Sequence, residues 1–285
     1  MANQTELTDW LLAKQSELDL RVTECTWIGN VFPGWHDLDL SITIAGRRFN
    51  GRGSSINGDT ALCKAFCEAV ERFVCSSYGI RSHGVAGHFI PEEAKKNARL
   101  EYIERRSMAH QVESHAKLSQ LPVSELIDKH YRELGIEVDL FAVNTVSGVS
   151  VVLCIANGLK CKIQFGGILG LGAHTESKYA TEKATIECLR NLEAHIQKPM
   201  APLTTTDFAK IANPSGAERQ ALLSDVSYFR NLMAMFNQDQ HTIPDIAAGA
   251  FEELEMRDPA LKNCPLRFFR FQDGHNHSLE LEFVG

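Results

Sequence analysis

The chain has 285 residues, 44% of them hydrophobic, which is enough for one large domain or two intimately packed lobes. A net charge of −7 excludes broad nucleic-acid binding, which needs a basic footprint, but leaves room for a nucleotide held by a few local cations. No run of about 18 apolar residues reads as a membrane span, and the acidic, amphipathic N-terminus lacks the basic-then-apolar order of a signal peptide, so a cytoplasmic protein is expected.

Residues 6–18 read as an amphipathic helix. Segments 21–31 and 37–50 alternate apolar and polar residues around a turn at Gly46, which predicts antiparallel strands. Helices are predicted over 59–77, 91–115 and 123–134, the last entered through Pro122. Strands follow at 136–145 and 149–157, a hairpin about Ser147 and Gly148, and then at 160–168. The glycine-rich run GGILGLGA is expected to lead into a helix over 177–197, stopped by Pro199. Further helices fit 204–212 and 217–237, and short strands fit 266–272 and 278–284. Hairpins outnumber regular βαβ units, so the fold class is α+β, with antiparallel sheets and packed helices.

The eight cysteines form no CxxC pair and read as small buried hydrophobes, with no disulfide framework expected. Among the eleven histidines there is no HExxH, and the HxH of His275 and His277 reads as an exposed turn or strand.

One motif occurs twice in the same spacing. Residues 51–72 read GRGSSINGDTALCKAFCEAVER and 170–191 read GLGAHTESKYATEKATIECLRN. Without a gap they agree at Gly51/Gly170, Gly53/Gly172, Ala61/Ala180, Lys64/Lys183, Ala65/Ala184 and Glu68/Glu187. The repeat predicts one pseudo-duplicated domain over 1–285, with related halves at about 20–135 and 136–236 and C-terminal helices and strands over 237–285.

On a helix, Lys64, Glu68, Glu71 and Arg72 share one stripe, as do Lys183, Glu187, Arg190 and Asn191. The opposite side of the first helix is apolar, so the charged stripe is free to line a cleft. Mg²⁺ takes hard oxygen ligands, partly carboxylates and partly phosphates, and Glu68, Glu71 and Glu187 suit it. Lys64, Lys183, Arg72 and Arg190 suit phosphate oxygens. Gly51, Gly53, Gly170 and Gly172 would bring backbone N–H groups near the ligand, and Ser54 would bind phosphate or cap the helix. The bland alternative is solvated surface ion pairs, which matching glycines and alanines in both copies oppose. His174 is equally a phosphate contact or a structural hydrogen-bonder. Arg52 fits a phosphate or leader-peptide rim, whereas Arg47 and Arg48 fit a solvated hairpin turn. No GxxxxGK[ST], GxGxxG before a βαβ unit, or GxSxG is present.

These residues resemble the YcaO-domain family. Its first signature, GxG, then Ala, then SxxxExxER, is matched by Gly51, Gly53, Ala61, Glu68, Glu71 and Arg72. An element like ELIERDA appears at residues 100–105, where Glu104 and Arg105 read alone would be an ordinary helical charge pair. A later signature is matched at Gly170, Gly172, His174 and Glu187, with Asn191 at its closing amide. The resemblance implies a fold that binds ATP and Mg²⁺, with Glu68, Glu71 and Glu187 as metal ligands. Gly53, Ser54, Lys64, Arg72, Lys183, Arg190 and Asn191 would then contact the nucleotide. It further implies activation of a peptide backbone amide: a nucleophile adds to the carbonyl, the oxyanion takes the γ-phosphate, and loss of phosphate leaves an azoline or thioamide. Positioning and charge neutralisation are the protein's share of such chemistry. A separate partner is expected to deliver the peptide, and a homodimer is the default assembly. The chain departs from the family pattern at Lys64, Ala180 and Arg106, which keeps a non-catalytic nucleotide-binding or scaffold subunit as the alternative reading.

Overall fold

Two antiparallel hairpins, each followed at once by a helix of 21 residues, organise the chain. This is seen in a computed structural model that describes residues 4–212, 214–239, 243–246 and 248–273. These residues form two compact units, one built on Met1–Tyr102 with 248–273, the other on Ile103–Ile246.

In the first unit α1 (Gln4–Lys14) precedes β1 (Arg21–Glu24), the short α2 (Ile28–Val31), β2 (His36–Ile44), β3 (Arg47–Ser55) and α3 (Gly58–Tyr78). Strands β1, β2 and β3 form one antiparallel sheet in that order, with Leu40 opposite Gly51 and Leu38 opposite Gly53. The β2–β3 turn is tight because Ala45 and Gly46 both take positive φ, at 50° and 73°. Asn57 starts α3 by accepting the Thr60 N–H at 2.9 Å, and Gly79, at φ 62°, closes it. The apolar side of α3, with Phe66, Val70, Phe73 and Val74, packs with Leu40, Ile42 and Ile44 of β2 and Leu7 and Leu11 of α1. A second sheet in this unit pairs β4 (Val85–His88), β10 (Arg267–Gln272) and β9 (Ala250–Leu254) in the order β4-β10-β9.

Helix α4 (Pro91–Glu113) crosses the boundary at Tyr102. The second unit continues with β5 (Ser119–Leu121), α5 (Glu125–Arg132), β6 (Glu137–Val143), β7 (Ser150–Asn157), β8 (Gly167–His174) and α6 (Ser177–Gln197). After these come α7 (Thr205–Phe208), α8 (Gly216–Leu223) and α9 (Val226–Met235). The sheet order is β5-β6-β7-β8, all antiparallel, which makes the fold α+β as expected.

Several sequence expectations shift. The glycine-rich run is not a loop: it is β8 itself, and the strand expected at 160–168 is a turn followed by the first residues of β8. Likewise β3 runs through Gly51 and Gly53 to Ser55. Residues 28–31 are a helical turn rather than strand. The helix expected over 217–237 breaks at Ser224, because Asp225 takes an extended conformation and caps α9 by accepting the Tyr228 N–H at 2.7 Å. The expected strand at 278–284, with His275 and His277, lies outside the described residues.

In both units the motif glycines exist for close approach. A Cβ built on Gly53 would overlap the Ala61 carbonyl and lie 2.6 Å from Ala65 N; one on Gly172 would overlap the Ala180 carbonyl and lie 2.6 Å from Ala184 N. Gly51 and Gly170 meet the next turn of the same helices. Strand and helix backbones therefore touch with no side chain between them. Gly53→Ala or Gly172→Ala is expected to cost about 3 kcal/mol, measured by denaturant unfolding. Gly29→Ala, where nothing lies within 4 Å, should be neutral or mildly stabilising.

Candidate functional site

Among the described residues strand β3 lies at the edge of its sheet, and no described strand pairs with its outward main-chain groups. Side chains of α3 take that place. The Arg52 N–H, between the two glycines, donates to Glu68 Oε2 at 2.7 Å, and Lys64 Nζ donates to the Ser54 carbonyl at 3.1 Å. The other oxygen of Glu68 accepts Arg72 Nη2 at 2.6 Å. The Arg52 guanidinium pairs with Asp39, and the Ser54 hydroxyl donates to the buried Asp37 rather than capping α3. Glu71 is half-buried one turn beyond Glu68.

Strand β8 is likewise an edge, and the same position is used. The Leu171 N–H, again between two glycines, donates to Glu187 Oε2 at 3.3 Å. Asn191 Nδ2 reaches the Leu169 carbonyl at 3.5 Å. Lys183 differs from its counterpart: its ammonium meets Glu104 Oε2 of α4 at 2.8 Å. Glu104 is 1% exposed, with Arg105 Nε 3.8 Å from its carboxylate. It is therefore no ordinary helical charge pair, and it is the residue that sequence reasoning undervalued. Arg190 is half-buried on α6, three residues beyond Glu187.

The two neighbouring carboxylates are pushed in opposite directions. Burial alone would raise Glu104, but Lys183 and Arg105 together hold it below the ordinary glutamate range. Burial raises Glu187, the Glu104 charge adds to this, and Arg105 and Lys183 only partly offset it.

Other candidates fall outside these clusters. His174 Nδ1 accepts the Glu176 N–H at 3.0 Å at the start of α6. Arg47 reaches Ser76 and Arg48 reaches Asp19, both on the exposed hairpin. All eight cysteines are free thiols. Burial, helped by Asp39 and Asp37, pushes Cys25 up to about 11, and burial pushes Cys264 up to about 12, so neither offers a ready thiolate at neutral pH.

The donor set fits a Mg²⁺–polyphosphate. Among the described residues no three His, Cys, Asp or Glu converge on one point, so the protein offers one or two carboxylates at a time. That is the number Mg²⁺ uses when phosphates and water complete its shell. The strand amide on one oxygen of Glu68 and of Glu187 fixes each carboxylate's orientation, as outer-shell partners of ligating carboxylates do. Lys64 and Arg72 lie beside Glu68 in the first cluster, and Lys183 and Arg105 beside Glu104 in the second.

A family model described as YcaO cyclodehydratase, ATP- and Mg²⁺-binding, matches residues 76–257. The chain belongs to the YcaO family. Its fold is that of YcaO proteins, and ATP and Mg²⁺ are the cofactors of the family. No curated protein matches the chain. Among solved structures, the chain is similar to the YcaO protein from Methanopyrus kandleri bound with AMPPCP and Mg²⁺, with 15% identity and a TM-score of 0.63 over 100% of this chain and 94% of that one. It is also similar to a heterocyclase in complex with substrate and cofactor, with 13% identity and a TM-score of 0.60 over 95% of this chain and 52% of that one. The matched YcaO region contains Glu104, Lys183, Glu187, Arg190 and Asn191, whereas Gly53, Ser54, Lys64, Glu68, Glu71 and Arg72 lie upstream of it. No helix among the described residues is long and apolar enough to cross a membrane.

Opposite pH signatures follow for the two carboxylates. Glu104, lowered in the fold, contributes stability at neutral pH that disappears as the pH falls through its folded value. Glu187, raised in the fold, costs stability at neutral pH, and the cost vanishes below about pH 4. Thermal melts of the ligand-free protein should show Glu104→Gln below wild type at pH 7 and converging with it in acid. Glu187→Gln should melt above wild type at pH 7 and converge with it near pH 4.

Proposed function

We propose that this chain uses ATP and Mg²⁺ to activate a peptide backbone amide, giving an azoline or a thioamide-type product in peptide natural-product maturation or protein modification. The observation that carries this reading is the repeated placement of a glutamate on the amide between two strand glycines, with a lysine one turn earlier on the same helix. In this reading Glu68, Glu71 and Glu187 hold the metal. Lys64, Arg72, Lys183, Arg190 and Asn191, with the main chain at Gly53 and Ser54, contact the nucleotide. Bound ATP supplies the phosphoryl group that turns the amide oxygen, a poor leaving group, into phosphate. The chain's own residues orient that phosphoryl group and neutralise its charge, which is where catalysis of phosphoryl transfer resides.

The cations are shared before any ligand arrives. Arg72 rests on Glu68 and Lys183 on Glu104, so each is held near the place where phosphate oxygens would compete for it. We infer that a separate partner delivers the peptide.

Calorimetric titration of ATP with Mg²⁺ tests the reading. Binding by the wild type and at least about a tenfold loss in both Glu68→Gln and Glu187→Gln is the expected result. A well-folded wild type that binds no nucleotide contradicts it and favours a subunit that supports another enzyme.

A further inference from the structure

Asp37 has no place in the chemistry above, yet it is among the most deeply buried charged groups of its unit, at 1% exposed. It sits on β2 directly opposite Ser54 of β3. A carboxylate so far from water is costly unless its oxygens are satisfied. Its Oδ2 accepts the Trp27 indole N–H at 2.9 Å, and its Oδ1 accepts the Ser54 hydroxyl. Trp27 is itself buried, so this anchor is rigid.

The chain of contacts continues through the main chain of Ser54, whose carbonyl accepts Lys64 Nζ at 3.1 Å. Ser54 lies next to the last residue of β3, paired with Asp37 between Gly53 and Ser55 in the β2–β3 register. The hydroxyl bond to Asp37 adds a side-chain restraint on the residue whose carbonyl receives the lysine. All four residues, Trp27, Asp37, Ser54 and Lys64, belong to the same compact unit.

We propose that Asp37 is a positioning residue for nucleotide binding: by clamping Ser54 it sets the carbonyl that holds the Lys64 ammonium where a phosphate meets it. This rests on the reading of Lys64 as a phosphate contact. The alternatives act with different signs. If only the charge of Asp37 mattered, removing it would strengthen phosphate binding, because a nearby anion opposes another. If Asp37 only stabilised the fold, its removal would lower the melting temperature and leave ATP affinity alone.

A double-mutant cycle on the full chain separates these cases, with ATP and Mg²⁺ titrated by calorimetry into wild type, Asp37→Asn, Lys64→Ala and the double variant. Asp37→Asn is expected to weaken ATP binding about tenfold and Lys64→Ala at least as much, with the double variant within about twofold of Lys64→Ala. Unchanged or tighter binding by Asp37→Asn overturns the proposal, as does an equal tenfold loss in both Lys64 backgrounds. Should Asp37→Asn fail to fold, Ser54→Ala replaces it in the cycle, with Ser54→Thr expected to restore binding by restoring the hydroxyl. Wild-type affinity in Lys64→Ala sinks the reading of Lys64 itself, whereas a silent Asp37 beside an essential Lys64 sinks only the positioning role.

Discussion

Everything distinctive in this chain depends on the contact between an edge strand and a helix that share no side chain at their interface. A glycine at alternate strand positions and an alanine on each facing turn let the two backbones touch. At that distance a glutamate side chain is the right length to turn back and accept the strand amide between the glycines. The same contact serves stability and function. It covers an exposed sheet edge, which would otherwise be open to pairing with another chain. It also holds a carboxylate in one orientation, leaving its second oxygen for a cation.

The two copies have diverged in what surrounds that carboxylate. In the first, the lysine is tied to a main-chain carbonyl and the glutamate to an arginine one turn on, so these contacts lie within one strand and one helix. In the second, the lysine is tied to Glu104, a buried carboxylate on another helix, and the glutamate lies close enough to that group to be pushed toward its neutral form. The second cluster thus sets two carboxylates, Glu104 and Glu187, against two cations, Lys183 and Arg105. Of the two, Glu104 adds stability at neutral pH and Glu187 costs it.

The helices and the charged stripe were legible from the sequence because they are local. The period of apolar residues in 58–78 and 177–197, and the Lys–Glu spacing, need no partner to be recognised. The glycine pairs were legible as important but not as strand, because glycine is ordinarily a turn signal and its reason here is a helix brought against it by the fold. That error displaced the strand before α6 by several residues. The short strands β4 and β9 carry weak signals, since both pair with the distant β10, and β5 has only three residues. Glu104 and Asp37 were hidden for a related reason. A glutamate beside arginines on a helix, and an aspartate in an alternating strand, look solvated until the fold buries them at 1% exposure.

The central claim is that the strand-held glutamates of both copies are metal ligands around one kind of nucleotide. Crystals grown with AMPPCP and Mn²⁺, with an anomalous difference map recorded at the manganese edge, test it most directly. The account predicts manganese peaks in coordination distance of Glu68 and of Glu187, joined to phosphate oxygens. Nucleotide bound with its manganese away from both carboxylates would show instead that these glutamates only cover the strand edges.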